Sequence, residues 1–203
     1  MMTGFGMGFG GFGFLFMAIF WLGIIAAAIW LLGNLFPKNN VTDTTGGNGE
    51  TAVSILATDY NQTTLDQAHP KPLNWQKIRL KTADAYNLDA LSETFDAAYA
   101  VAWFAHVPRS RIDEFLGSLH RQLAVGATVA FVDQLPGARS QTANFDDEGN
   151  HLQTRTLPDG SNYRVIKHFM SDDELHNIFA RYSHKVTIDR FPAVRRIVVS
   201  YTL

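Results

Sequence analysis

The first 37 residues contain no charged side chain, and the segment Phe12–Leu32 within them is almost entirely apolar. A hydrocarbon core of roughly 30 Å is crossed by about 20 helical residues, and a helix satisfies its own backbone hydrogen bonds in lipid. A cleaved signal peptide fits less well, because no Lys or Arg precedes the run and the run is longer than usual. A buried core helix also fits less well, because the run is apolar on every face. We therefore expect residues 1–36 to hold a transmembrane helix behind a glycine-rich leader.

A polar segment rich in Gly, Asn and Thr follows, and we expect residues 37–51 to be a flexible linker. Residues 52–203 then form one unit of ordinary domain size. Lys38 is the only basic residue near either end of the apolar run, which favours a cytoplasmic C-terminal domain. The predicted organisation is thus a single-pass membrane protein with one domain after its linker.

Composition excludes or disfavours several classes of site. The formal net charge is −2 and no basic block occurs, so nucleic-acid binding through an electrostatic surface is not favoured. The chain has no cysteine, which excludes a disulfide and a thiolate metal site. The seven histidines show no paired ligand spacing with carboxylates, so we predict no metal site.

Strands and helices alternate in the first half of the domain. A helical stripe runs over 109–123, opened by Pro108 and followed by a stop signal at Gly126. A briefer helical stretch covers 63–68. The predicted strands are Ala52–Thr58, Ile78–Thr82, Phe95–Val101 and Ala127–Val132. This alternation is typical of an α/β parallel sheet that binds ligands at the carboxyl ends of its strands.

The second half of the domain follows a different pattern. Residues 134–168 are irregular and polar, and we expect a hairpin-like insertion there. Ser171 and Glu174 form a capping box that opens a helix to about Tyr182. Two alternating segments, Val186–Phe191 and Arg196–Thr202, then predict an antiparallel pair of strands.

The order of these segments resembles the class I S-adenosylmethionine-dependent methyltransferases over about residues 52–203. The resemblance is carried by ILATDYN at 55–61, TADAYNL at 82–88, FDAAYAVAWFAHVP at 95–108, LHRQLAVGATVAFVD at 119–133 and the terminal hairpin. The leader, residues 1–36, resembles the leaders of small bacterial membrane proteins of the SHOCT type. The resemblance implies a Rossmann-like sheet, S-adenosylmethionine as cofactor and a small-molecule methyl acceptor.

The resemblance also implies site residues at the strand ends. Asp59 would accept hydrogen bonds from the ribose hydroxyls, because a carboxylate offers several acceptor sites and no donor. Tyr60 or Asn61 would flank the adenine or ribose, and Asp84 with Ala85 would meet the adenine amino group. The structural alternative for both acids is a helix N-cap or a loop turn.

The loop after the third predicted strand is the other implied part of the site. Val101 to Trp103 would lie beneath the methyl donor. His106 is a candidate substrate contact or base, with a structural cap as its alternative. Methyl transfer requires no base, because positioning of the acceptor supplies much of the rate enhancement.

One part of the family pattern is missing from the sequence. The first strand, the glycine-rich turn and the next helix should precede Ile55, where the sequence has the linker and the apolar run. Gly46–Gly49 resembles the glycine turn only superficially, because no apolar strand precedes it. The missing strand would be the central one, between the Asp59 strand and the Phe95 strand. The fold is therefore expected to be an incomplete methyltransferase sheet.

Three functions remain open at this point. The first is a membrane-tethered methyltransferase, and the second is a non-catalytic module whose sheet is completed by a partner chain. The third is a small membrane protein with a vestigial tail. The absent glycine loop favours the last two, whereas the strand-end acids favour the first.

Overall fold

A computed structural model of the protein describes residues 54–137 and 144–203. The predicted transmembrane helix at Phe12–Leu32 and the linker at 37–51 lie outside the described residues. Within those residues, no helix is long and apolar enough to cross a membrane.

The described residues alternate between strands and short helices along the chain. The helices are α1 Gln62–Asp66, α2 Ile112–His120 and α3 Asp172–Phe179, with single 3₁₀ turns at Leu88–Leu91, Phe104–His106, Arg109–Arg111 and Pro192–Val194. The strands are β1 Ile55–Asp59, β2 Ile78–Thr82, β3 Phe95–Val101, β4 Leu123–Gln134, β5 Asn144–Phe145, β6 His151–Thr156, β7 Asn162–Ile166, β8 Val186–Phe191 and β9 Arg196–Thr202.

The strands form separate sheets. β1 and β2 are parallel and make a two-stranded sheet. A second sheet has the order β3-β4-β9-β8, in which β3 and β4 are parallel and the terminal pair is antiparallel. The predicted bounds of β2, β3, β8 and β9 are confirmed, and so is the terminal antiparallel hairpin.

Among the described residues, the β1–β2 pair and the β3–β4 pair belong to different sheets, and the central strand expected between them would precede Ile55, outside those residues. β1 pairs only with β2, and β3 pairs only with β4, among the residues that the structure describes. The free edges of β1 and β3 are those that a central strand would join in the resembling family. Neither β1 nor β3 contains a fully buried side chain, whereas β4 and β9 contain many.

Three predicted helix ends are wrong. The helix predicted over 63–68 is α1, which ends at Asp66. α2 ends at His120 instead of Leu123, because the Gln122 carbonyl accepts a hydrogen bond from Phe95 N–H and the ladder of β4 with β3 begins there. Gly126 is consequently inside β4 instead of ending a helix, and its φ of +84° is a conformation that suits glycine. α3 ends at Phe179, three residues before the predicted end at Tyr182.

The predicted irregular insertion at 134–168 contains regular structure. β5, β6 and β7 form a three-stranded antiparallel sheet, with the register set by the pairing of Leu152 with Ile166. Polar side chains alternate in this segment with only a few apolar ones, so the sequence shows little periodicity there. The capping box that opens α3 is confirmed: Ser171 Oγ accepts from Glu174 N–H, and the Glu174 carboxylate accepts from Ser171 N–H.

The hydrophobic core lies between the larger sheet and helices α2 and α3. Its centre is aromatic: Phe104 stacks on Phe131 with ring centroids 4.9 Å apart, and Phe179 lies 5.1 Å from Phe104. Tyr201 from β9 completes this group. Burying each such side chain contributes roughly 1.5–3 kcal/mol, so this half of the molecule holds most of the apolar stabilisation.

Candidate functional site

Asp59 ends β1, and its carboxylate organises the turn that follows. Its Oδ1 accepts a hydrogen bond of 2.7 Å from Asn61 N–H. Its Oδ2 has no hydrogen-bond partner among the residues that the structure describes. Asn61 caps α1 by accepting from Thr63 N–H, and Tyr60 between them is 78% exposed. The local turn thus uses one carboxylate oxygen of Asp59 and leaves the other unpaired among the described residues, with the exposed ring of Tyr60 as the next residue.

Asp84 lies in the loop after β2 and has the same kind of environment. It is exposed, and its Oδ1 accepts from Tyr86 N–H at 2.9 Å. Ala85 is half-buried against the hydrophobic core. For Asp59 and Asp84 alike, the structural alternative is present in part, because each carboxylate stabilises its own loop through one oxygen.

The loop after β3 carries the remaining predicted cofactor residues. Val101 is the last residue of β3, and Ala102 has a φ of +54°, in the left-handed region that a side chain rarely adopts. This conformation turns the chain sharply at the end of the strand. Trp103 follows, is 37% exposed and packs against Phe115 of α2, with ring centroids 6.1 Å apart.

Two contacts bring these strand ends together. Ala83 N–H donates to the Asp59 carbonyl at 3.0 Å, which ties the loop after β2 to the end of β1. Tyr86 packs against Trp103 with ring centroids 6.4 Å apart, which ties the same loop to the one after β3. Arg111 covers the Tyr86 ring, with its guanidinium carbon 3.5 Å from the ring centroid. The predicted cofactor residues therefore lie along one edge, joined through residues 83–86.

His106 follows Trp103 in the same loop, and its N–H donates to the Trp103 carbonyl at 2.8 Å. Its Nδ1 is 2.5 Å from the Ile166 carbonyl, which only accepts, so Nδ1 carries the proton. Its Nε2 then faces Lys167 Nζ at 3.4 Å as an acceptor. Burial, followed by the charge of Lys167, lowers the pKa of His106. With both nitrogens engaged, this arrangement favours the structural alternative, and a catalytic role for His106 stays a prediction.

Lys167 and Asp133 form a buried ion pair beside His106. Lys167 is 2% exposed, its Nζ lies 3.5 Å from Asp133 Oδ1, and Asp133 Oδ2 accepts from Ala105 N–H at 3.0 Å. Burial raises the pKa of Asp133 and lowers that of Lys167, while each charge opposes the shift of the other. This buried polar cluster of His106, Asp133 and Lys167 joins the end of β4 to the segment after β7.

The β5–β7 sheet is fixed to the loop after β3 by further hydrogen bonds. His168 N–H donates to the Ala105 carbonyl at 2.8 Å. Arg109 N–H donates to Asn150 Oδ1 at 2.8 Å, and Arg109 Nε donates to the Gly149 carbonyl at 3.0 Å. The insertion therefore covers the carboxyl ends of β3 and β4.

The predicted site residues omitted Lys167, Asp133 and His168. Asp133 carried a signal, because it ends an apolar segment that predicts a buried strand. Lys167 and His168 lie in a segment without apolar periodicity, and only the fold brings them to the end of β4. A lysine or a histidine in a polar segment is ordinarily exposed, so their burial could not be read from the sequence.

Comparison with known proteins gives a family model and a set of solved structures. A model described as a methyltransferase domain matches residues 44–126, less than half of the chain. The match begins before the described residues and includes Gly46–Gly49. Comparison with curated proteins finds no match.

Several solved structures are similar to that of this chain. A DhpI–SAM–HEP complex is 25% identical, with a TM-score of 0.59 over 72% of this chain and 67% of that one. A DhpI–SAH complex is 23% identical, with a TM-score of 0.56 over 72% of this chain and 64% of that one. An S-adenosylmethionine-dependent methyltransferase from Methanosarcina mazei is 17% identical, with a TM-score of 0.56 over 74% of this chain and 82% of that one.

The chain thus spans just under two thirds of the length of the DhpI–SAH relative. The order of strands, the terminal hairpin and the methyltransferase model agree with one another. Together they support a class I S-adenosylmethionine-dependent methyltransferase fold for the domain that the structure describes.

Proposed function

We propose that the protein is a membrane-tethered, S-adenosylmethionine-dependent methyltransferase-like protein whose acceptor is a small molecule. The observation that carries the proposal is the row of residues at the carboxyl edge: Asp59, with one carboxylate oxygen unpaired among the described residues, Asp84 in the adjoining loop, and Trp103 beside it. A carboxylate that accepts without donating suits a pair of ribose hydroxyls. The solved relatives include complexes with SAM and SAH, which supports the same cofactor here.

The described residues fit one half of such a cofactor. Asp59 Oδ2 would accept from the ribose, while Tyr60 and Asp84 would contact the adenine. The segment that would hold the methionine half precedes Ile55 and lies outside the described residues. When bound, the cofactor supplies an electrophilic methyl group. The chain's own part is to hold the adenosine end, and the β5–β7 sheet would keep water from the acceptor.

A calorimetric titration of the full chain with S-adenosylmethionine and with adenosine tests the proposal. We expect Asp59→Ala to cost on the order of 1–3 kcal/mol, or roughly 5- to 150-fold in affinity, for both ligands. Asp59→Asn retains an oxygen for Asn61 N–H and separates loss of charge from loss of the local turn. Asp147→Ala, at an exposed turn position, is the matched control.

The ratio of the two affinities tests the missing cradle. Without a glycine turn, the methionine half should add little, so the two ligands should bind within about tenfold of each other. Tight binding of S-adenosylmethionine with much weaker adenosine binding would show that a cradle exists. Absence of binding by either ligand, with Asp59→Ala silent, would refute a cofactor site.

The tether is proposed from the uncharged apolar run at Phe12–Leu32. The full chain should remain with membranes through carbonate extraction, and deleting residues 1–36 should release it. Lys38 after the run supports a cytoplasmic domain, which protease protection in inverted and right-side-out vesicles would check. Recovery of the intact chain in the soluble fraction would contradict the tether.

A non-catalytic binding module is the second candidate, and the divided sheet favours it. Among the described residues, β1 and β3 each have one edge that pairs with no other strand, and a strand of a partner chain can add to such an edge. Such a module would bind adenosine-containing ligands weakly or not at all, and would show no methyl transfer when purified alone. Methyl transfer to any small acceptor by the purified chain would exclude this candidate.

A further inference from the structure

β2 and the residue before it carry a group of basic side chains. Arg79 and Lys81 occupy alternate positions in β2 and therefore lie on the same face of the β1–β2 sheet. Lys77 directly precedes the strand, and all three residues are exposed. Lys77, Arg79 and Lys81 are called the basic group below.

One acidic side chain neutralises part of the basic group. Arg79 pairs with Glu93 through a contact of 2.6 Å, and the two side chains are 57% and 36% exposed. Lys81 Nζ donates to the Ala90 carbonyl at 3.1 Å, which leaves its charge uncompensated. Lys77 forms no ion pair within the part of the chain that the structure describes. Three cations and one anion leave two positive charges on this short exposed segment.

The opposite face of β2 lies against α1. Thr82 Oγ1 donates to Gln62 Oε1 of α1 at 2.6 Å, and Gln62 Nε2 donates to Asp66 Oδ1 at 2.8 Å. Successive side chains alternate between the two faces of a strand, so Thr82 points away from Arg79 and Lys81. The carboxylate of Asp66 therefore lies on the other side of the β1–β2 sheet. The two faces of β2 thus differ in charge, and the face of Arg79 and Lys81 is the positive one.

The basic group lies where the predicted linker enters the domain. Ile55 is the first residue of β1, and its N–H donates to the Lys77 carbonyl at 2.8 Å. The linker predicted at 37–51 precedes Ile55, and a flexible coil of that length spans about 20 Å on average. A tether of this length holds the domain at a high effective concentration beside the bilayer, so a weak attraction is enough to orient it.

We propose that the basic group docks the domain on the anionic phospholipid surface of the bilayer that holds the tether. This inference rests on the tether of the proposed function, and it adds which face of the domain meets the lipid. Anionic headgroups attract basic side chains that come within about 8 Å, the Debye length at physiological salt. Lysines on an edge strand can instead serve only to prevent pairing with other chains, and that alternative requires no lipid.

The absence of cysteine in the chain allows a fluorescent label to be placed at a single position. Gln76→Cys lies next to the basic group, Thr154→Cys lies on β6, and both positions are exposed. Each variant of the full chain is labelled with NBD and placed in nanodiscs that contain a lipid with a spin-labelled headgroup as quencher. We expect quenching at position 76 to be stronger in phosphatidylcholine with phosphatidylserine than in phosphatidylcholine alone, and quenching at position 154 to be the same in both. Raising the salt to about 1 M, where the Debye length is about 3 Å, should remove the difference at position 76.

Charge variants of the chain labelled at position 76 connect the quenching to the basic group. Lys77→Gln and Lys81→Gln should each reduce the ratio of docked to undocked molecules about fivefold in discs with phosphatidylserine. Lys77→Arg with Lys81→Arg keeps both charges and should retain the ratio. Arg164→Gln with Lys185→Gln is the matched control, because it removes the same charge as the double glutamine variant at exposed positions outside β2. The control should behave like the wild type.

The outcomes separate docking from the tether. A chain that does not enter nanodiscs would refute the tether and the docking together. A chain that enters them but is quenched equally at position 76 in both lipid compositions would refute the docking alone, and so would equal losses of quenching in the lysine variants and in the matched control. The comparisons of lipid and of salt leave every charge in place, so they decide the question even where a charge variant fails to fold. Failure to bind S-adenosylmethionine would leave the docking intact.

Discussion

The buried imidazole of His168 should make the fold sensitive to mild acid. Its pKa is about 4 in the folded chain, against an ordinary value of 6.5. In this range the unfolded chain binds a proton that the folded chain does not, so stability falls as pH falls. The contribution of neutral His168 is intact above pH 6.5, declines by about 1.4 kcal/mol per unit, and is lost below pH 4. The total loss is about 3 kcal/mol, a large share of the stability of an ordinary domain.

Urea unfolding of the full chain in mild detergent at pH 7.0, 5.5 and 4.5 measures this effect. His106 and His120 also have pKa values lowered by burial, and they contribute with the same sign. The informative quantity is therefore the difference between wild type and His168→Asn at each pH, in which those contributions cancel. We expect the stability of the variant relative to wild type to rise by about 2–3 kcal/mol between pH 7.0 and 4.5.

His176→Asn, which removes an exposed imidazole, is the matched control for the substitution itself. If His168→Asn loses stability with falling pH as steeply as the wild type, His168 is not a buried neutral group.

Two further substitutions test other features of the fold by the same unfolding measurement. Lys167→Ala should lower the free energy of unfolding by about 3–5 kcal/mol, because it leaves Asp133 buried without its partner. The double variant that also carries Asp133→Asn should lose less than Lys167→Ala alone. Equal losses would argue against a buried pair. Gly126→Ala should lower the free energy of unfolding by about 1 kcal/mol through backbone strain alone, because φ is +84° and a Cβ there meets nothing within 4 Å. An unchanged free energy of unfolding would place this residue in another conformation.

Apolar periodicity predicted the parts of the fold that one strong local signal specifies. β3, β8 and β9 each combine β-branched, aromatic or small apolar residues with clear turn signals, and their predicted bounds are confirmed. The capping box of Ser171 and Glu174 fixed the start of α3. These signals lie within the segments themselves, so no tertiary information was needed.

Tertiary pairing decided the parts that the sequence pattern missed. Leu123 continues the apolar stripe of α2, yet the pairing of Gln122 and Leu123 with Phe95 draws it into β4. Gly126 has the features of a helix stop but is required by a left-handed conformation within a strand. Local signals cannot separate these alternatives, because both place a glycine shortly after an apolar helix.

The candidate site divides in the same way. Asp59, Asp84 and Trp103 follow recognisable strands, so their common edge could be predicted from strand order. Lys167 and His168 are buried only because the β5–β7 sheet folds back onto residues 104–106. Their environment depends on a packing of one sheet against a loop, for which the sequence carries no periodic pattern.

The division of the sheet has a consequence for ligand binding. Asp59 belongs to the β1–β2 sheet, in which no strand residue is fully buried, whereas Trp103 follows β3 of the larger sheet. Contacts such as the ion pair between Arg79 and Glu93 join the two halves, and exposed ion pairs contribute little stability. A ligand that contacts both Asp59 and Trp103 binds only to molecules in which the β1–β2 sheet is held against the larger sheet. Its apparent affinity is therefore the intrinsic affinity multiplied by the fraction of molecules in that arrangement. Conversely, such a ligand stabilises the assembled arrangement by mass action. The affinity for adenosine that we propose therefore depends on the ordering of the small sheet against the large one.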